Sequence, residues 1–161
     1  MRLWSEWVAA VASLRPACGR TRTYLWMVLV LMGLSIRADV AGVTSLVRVL
    51  GLPPAAYKPL LHLFHSSALR LDRLTDLWTR WCRAAFPVFT VGGYRVCLAD
   101  GLKAPKEGRK MPAVKKLHQV SANNSKAPFI FGHSFQAISL LSRTPGGHAA
   151  AIPLAARIHE G

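Results

Sequence analysis

Apolar residues recur at Leu3, Trp4, Trp7, Val8, Val11 and Leu14, the three-to-four-residue spacing that lays one stripe along a helix, and Pro16 stops the pattern. Residues 24–36 form a nearly unbroken apolar run and predict a second helix, buried on most sides. Asp39 stands where an N-cap would introduce a third helix over residues 40–50, with Val43, Leu46, Val47 and Leu50 on one face. Gly51-Leu52-Pro53-Pro54 ends it. Pro59 suits the first turn of a fourth helix running to Ser66, whose apolar members are Leu60, Leu61, Leu63 and Phe64. The clearest period lies in residues 69–85: Leu71, Leu74, Leu77, Trp78, Trp81, Cys82 and Ala85 share a face, while Arg70, Arg73, Arg80 and Arg83 occupy the remainder. Helices three and four, with a Gly/Pro turn between them, read either as a helix-turn-helix or as two ordinary bundle helices.

Beyond Phe86-Pro87 the period changes from helical to alternating, and Gly92-Gly93 marks a boundary. Tyr94-Arg95-Val96-Cys97-Leu98-Ala99 predicts a first strand that ends at Asp100, followed by a basic loop from Lys103 to Pro112. Residues 129–141 predict a second strand and 148–158 a third, joined by the hairpin signal Thr144-Pro145-Gly146-Gly147. Pro153 restricts the third strand to an edge or a bulge. The expected class is therefore α+β: a helical leader over residues 1–88, then an antiparallel β-meander over 89–161.

Charge changes the picture. Lys and Arg number 21 against 7 Asp and Glu, a net charge of +14 in 161 residues. Clustered cations favour a polyanionic partner, because they release condensed counterions from nucleic acid. A ribosomal-type protein, an anionic membrane surface or an out-of-frame translation would share the excess. Cys18, Cys82 and Cys97 are odd in number and widely spaced, so neither a disulfide framework nor a zinc site is implied, and Cys97 reads as a small core residue. The apolar run at 24–36 is shorter than the roughly 20 residues that span a bilayer, and Arg37 and Asp39 close it, which favours a buried core helix over an anchor.

The candidate chemistry gathers around Asp100. A carboxylate supplies the hard oxygen that Mg²⁺ prefers, and Lys103, Lys106, Arg109, Lys110, Lys115, Lys116 and Lys126 would contact phosphates from a flexible arm. Asp before Gly is also a common turn pair, so Asp100 reads equally as the cap of a turn at Gly101. His118 and His133 read as hydrogen-bonded histidines, and Glu107 as the partner of a neighbouring Lys or Arg.

As a string, these residues resemble the DDE-type transposases of bacterial insertion sequences. The similar pieces are Leu98-Ala99-Asp100-Gly101-Leu102-Lys103, Pro105-Lys106-Glu107-Gly108-Arg109-Lys110-Met111-Pro112, Lys116-Leu117-His118-Gln119, Asn124-Ser125-Lys126, Phe131-Gly132-His133 and Gln136-Ala137-Ile138-Ser139-Leu140-Leu141, continuing into Ala156-Arg157-Ile158-His159-Glu160-Gly161. The resemblance covers about the last 70 residues. It implies an RNase H-like fold in which three carboxylates hold two Mg²⁺ ions that activate water or a 3′-hydroxyl against a DNA phosphodiester. Asp100 would be the first carboxylate and a metal ligand. After it the only acidic residues are Glu107 and Glu160, and neither stands where the family's motif puts a catalytic carboxylate. The chain thus resembles the front part of a transposase, incomplete in its active site and inactive alone, with DNA as partner, a nucleoid-associated cytoplasmic location, and association with itself or with full-length transposase. No small-molecule substrate is expected. Two further readings stand beside it: a non-catalytic DNA-binding regulator carried by the leader helices, and a small protein anchored by residues 24–36.

Overall fold

The computed structural model describes residues 2–39, 42–106, 111–118, 127–144 and 146–159. They form the expected α+β class, five α-helices followed by antiparallel sheets, and divide into two compact units, Met1–Trp81 and Cys82–Gly161.

The first unit contains α1 (Arg2–Ser13), α2 (Thr21–Ile36), α3 (Val43–Val49), α4 (Tyr57–Leu63) and most of α5 (Leu71–Ala85), with short 3-10 turns at Arg15–Ala17 and Pro54–Ala56. α2, apolar throughout from Tyr24 to Leu34, buries only one side: Thr23, Met27, Val30 and Gly33 face inward at helical spacing, while Leu25, Leu34 and Ile36 are exposed. Val30 packs with Leu46 of α3 and with Leu60 and Leu63 of α4. Each buried Leu there contributes about 1.5–3 kcal/mol by leaving water. A second cluster joins Leu14, Cys18 and Met27, against which Leu74, Leu77 and Trp78 of α5 pack. The chain between α1 and α2 is tied to the entry of α5 by a bridge between Cys18 and Leu69 and by hydrogen bonds from Gly19 N to Ala68 O and from Arg70 N to Ala17 O.

Three details differ from the sequence reading, the first being that α2, expected to be buried on most sides, is buried along one. Asp39 is not an N-cap: α3 begins after Gly42, and the Asp39 carboxylate instead accepts a 2.6 Å hydrogen bond from Ser45 Oγ. Leu71, expected on the apolar face of α5, is 65% exposed, because the packed side of the helix starts only at Leu74.

The second unit is a sheet. A two-residue hairpin comes first, β1 (Thr90–Val91) with β2 (Tyr94–Arg95), so Gly92-Gly93 is a turn and not simply a boundary. Both glycines have positive φ, +57° and +80°, as the turn between tightly paired strands requires. Then β3 (Cys97–Pro105), β4 (Lys115–His118), β5 (Phe129–Arg143) and β6 (Ala149–Ile158) form a four-stranded antiparallel sheet centred on β5. On one edge of β5, Cys97 to Pro105 of β3 run opposite Leu140 to Gly132. On the other edge β6 lies opposite Phe135 to Arg143 and β4 opposite Phe129 to Gly132. The hairpin joining β5 to β6 closes with hydrogen bonds from Gly147 N to Thr144 O and from Thr144 N to His148 O. Pro153 does coincide with a bulge: Ile138 pairs with Ala155 but Ser139 with Pro153, so Leu154 is the extra residue.

β3 is longer than its sequence suggests. The strand does not end at Asp100, and the alternative reading of a turn at Asp100-Gly101 fails with it, because β3 continues through Leu102, Lys103 and Ala104 in unbroken register with β5. Cys97, read as a core residue, is exposed.

Candidate nucleic-acid interface

Directly opposed residues of antiparallel strands share a face, and alternate residues along a strand return to it. The registers therefore sort the candidate residues. Asp100 lies opposite Ala137, which lies opposite Ala156, so the carboxylate stands in a row whose other side chains are single methyl groups. That row and the rows on either side line an open depression of about 580 Å³. Asp100 is exposed in the interior of β3, and its Oδ1 accepts a 2.7 Å hydrogen bond from Gly101 N.

Lys106 follows β3 by one residue, and its backbone N–H donates to Phe131 O at 2.9 Å, while Lys116 pairs with Phe131 from β4. Lys106 and Lys116 thus sit on the two edges of β5, level with one residue. By register both belong to the face that bears Asp100, as do Phe129, Phe131, His118 and His133. The separation from Asp100 to Lys106 is six residues of extended chain, about 20 Å.

Lys103 and Lys115 fall on the reverse face, opposite Ser134 and Gly132 respectively. Lys103 donates through Nζ to the backbone carbonyl of His118. Of the seven cations expected in a flexible arm, Lys103, Lys115 and Lys116 are strand residues and Lys106 adjoins one. Arg109, Lys110 and Lys126, with Glu107, lie outside the described residues. The four described cations are held on or beside strands and divide between the two faces of the sheet, because the pleat alternates.

The lysine end of the sheet carries exposed aromatic groups. Phe129 and Phe131 are 47% and 41% exposed. Lys116 Nζ lies 4.3 Å from the centroid of the Phe129 ring, and His118 meets the same ring edge-on at 5.1 Å. A signal was present: a Lys-x-His stretch and a Phe-x-Phe stretch, both alternating, match each other once they pair. His133 is committed elsewhere, with Nε2 2.9 Å from Pro112 O; a carbonyl only accepts, so Nε2 carries the proton.

The arginines of α5 are partly neutralised, since Asp76 pairs with both Arg73 (3.1 Å) and Arg80 (2.9 Å). Exposed pairs of this kind contribute little to stability. Among the described residues no three His, Cys, Asp or Glu side chains gather as a metal site, and no helix is long and apolar enough to cross a membrane.

Compared with protein-family models, with curated proteins and with solved structures, the chain matches none.

Proposed function

We propose that this chain is part of a DDE-type transposase and that its partner is DNA, held along the sheet face that carries Asp100, Lys106 and Lys116. The observation behind the reading is that Asp100 stands inside the first strand of an antiparallel meander, β3-β5-β6, with two cations further along the same face. An RNase H-like sheet opens with such a meander and carries its first carboxylate on the first strand, and the string of short motifs from Leu98 to Leu141 supports the same family. The net charge of +14 supports a polyanionic partner.

Mg²⁺ is the cofactor this family implies, and the described donor set does not fit it. Two-metal chemistry needs carboxylates able to hold ions about 3.5–4 Å apart. Asp100 has no such companions among the described residues, and one of its oxygens is already engaged by Gly101 N. No cleavage step is therefore assigned to this chain, whose proposed contribution is binding. The same donor set favours a second reading, a non-catalytic DNA-binding protein that competes with full-length transposase for its DNA or its oligomer.

Gel shift and plasmid nicking, run together in Mg²⁺, test the proposal. It expects DNA retention that weakens steeply with salt and no nicking by the chain alone. Retention no stronger than that by a basic peptide of equal charge, or nicking by the chain alone that Asp100→Ala abolishes, would contradict it.

A further inference from the structure

We infer that the lysine end of the sheet is a stacking platform for single-stranded DNA, built from Phe129 and Phe131 and flanked by Lys106 and Lys116. Two large aromatic side chains left 47% and 41% exposed in the same short stretch are costly unless something covers them. Their neighbours indicate what does. Lys106 and Lys116 bracket Phe131 from the two edges of β5, and Lys116 Nζ rests over the Phe129 ring at 4.3 Å. A hydrophobic partner would strand those ammonium groups away from water, at high cost. A polyanion whose bases each offer a flat π surface satisfies both, because phosphates take the ammonium groups and bases take the rings.

The charge is local to this end. Leu98, Leu102 and Ile158, on the same face nearer Asp100 and its neighbours, are also exposed but among the described residues have no such flanking cations by register. Duplex DNA does not fit as well, since its bases are stacked on each other and present only edges in the grooves. Phe129 and Phe131 project from the same face two residues apart, about 6.6–6.8 Å along the strand, which spaces two bases on successive rings. The inference rests on the DNA reading above and names the form of DNA: unpaired nucleotides, held about 20 Å along the strand direction from the carboxylate.

The test is fluorescence anisotropy of a labelled oligodeoxynucleotide, single-stranded or duplex, with the full chain and with the Phe129→Leu/Phe131→Leu variant. Leucine keeps apolar bulk and removes the π face. Single-strand affinity is expected to fall roughly tenfold or more, with duplex affinity unchanged and the salt slope unchanged. The variant Lys106→Ala/Lys116→Ala is expected to lower the single-strand salt slope by about 1.4, near 0.7 per phosphate contact. Equal single-strand binding by the wild-type chain and the Leu variant overturns the platform while leaving the DNA reading in place. No binding of either form of DNA beyond that of a basic peptide overturns both. Should the Leu variant lose its circular-dichroism spectrum, quenching of 2-aminopurine placed at successive oligonucleotide positions decides. Binding by the wild-type chain is expected to quench one or two adjacent positions strongly, and uniform or absent quenching overturns the platform.

Discussion

Gly132 has no side chain where the carbonyl group of Ala104 approaches it across the β3-β5 ladder, and a Cβ built there would collide with that carbonyl oxygen and lie 3.0 Å from its carbon. The obstacle is backbone, which cannot rotate away. Gly132 is also where β5 is paired on both edges, with Pro105 and with Lys115. Gly132→Ala should therefore destabilise the sheet by about 1–3 kcal/mol and lower its melting temperature by on the order of 10 °C. An unchanged thermal melt would show that β3 does not run this close to β5.

Leu60 and Leu61 offer a contrast between neighbours. Leu60 is fully buried against Val30, Leu46 and Leu63, whereas Leu61 is 38% exposed. Leu60→Ala should cost about 2–5 kcal/mol and Leu61→Ala about 0.5 kcal/mol or less, read as shifts in the urea midpoint. Equal costs would contradict the assigned orientation of α4.

The three thiols should separate by reactivity. Burial pushes the Cys82 thiol up from 9.0 to about 11, and burial also raises Cys18 against the opposing charges of Arg15 and Arg70. Only thiolate attacks a disulfide reagent or an alkylating agent. At pH 8 exposed Cys97 should be modified first, and the other two only on denaturation, as counted by mass spectrometry in native and denaturing buffer. The same shift carries a stability consequence of definite sign. Between pH 9 and about 11 the unfolded chain loses the Cys82 proton while the folded chain keeps it, so stability should fall as pH rises through that window and be unaffected by this group below it.

Leu98, Leu102, Phe129, Phe131, Ile138 and Ile158 are each more than 40% exposed on the sheet, and β3 is hydrogen-bonded along one edge only among the described residues. Exposed apolar faces and an open edge promote association. The purified chain should bind a hydrophobic dye and sediment as more than a monomer at micromolar concentration. A monodisperse monomer that binds no dye would show that these surfaces are covered in solution.

Much of this was legible in the sequence. The apolar pattern placed all five helices to within three residues at either end: one-sided burial leaves a 3.6-residue period, clearest in α5, while α2 was legible only as a nearly unbroken apolar run. The β5-β6 hairpin was legible from Thr144-Pro145-Gly146-Gly147 because turn chemistry is local. The course of β3 past Asp100 was not: Asp-Gly favours a turn locally, and only pairing with Gly132 to Ala137 on β5 overrides it. β4 was hidden for the same reason, as four residues reading Lys-Lys-Leu-His look like part of a basic loop until a partner strand supplies the ladder. Exposure of Phe129 and Phe131 was legible in part: residues 129–141 carry apolar side chains on both faces, more than the leader helices can cover, but hydropathy does not say which of them stay open.

The central claim, that DNA lies on the sheet and not on the leader helices, is tested most directly by amide hydrogen exchange of the full chain with and without DNA. The account predicts added protection in Lys115–His118, in residues 103–106 and in residues 129–134, with α3 and α4 unchanged. Protection confined to Val43–Val49 and Tyr57–Leu63, with the sheet unaffected, would contradict it and assign DNA binding to the helices.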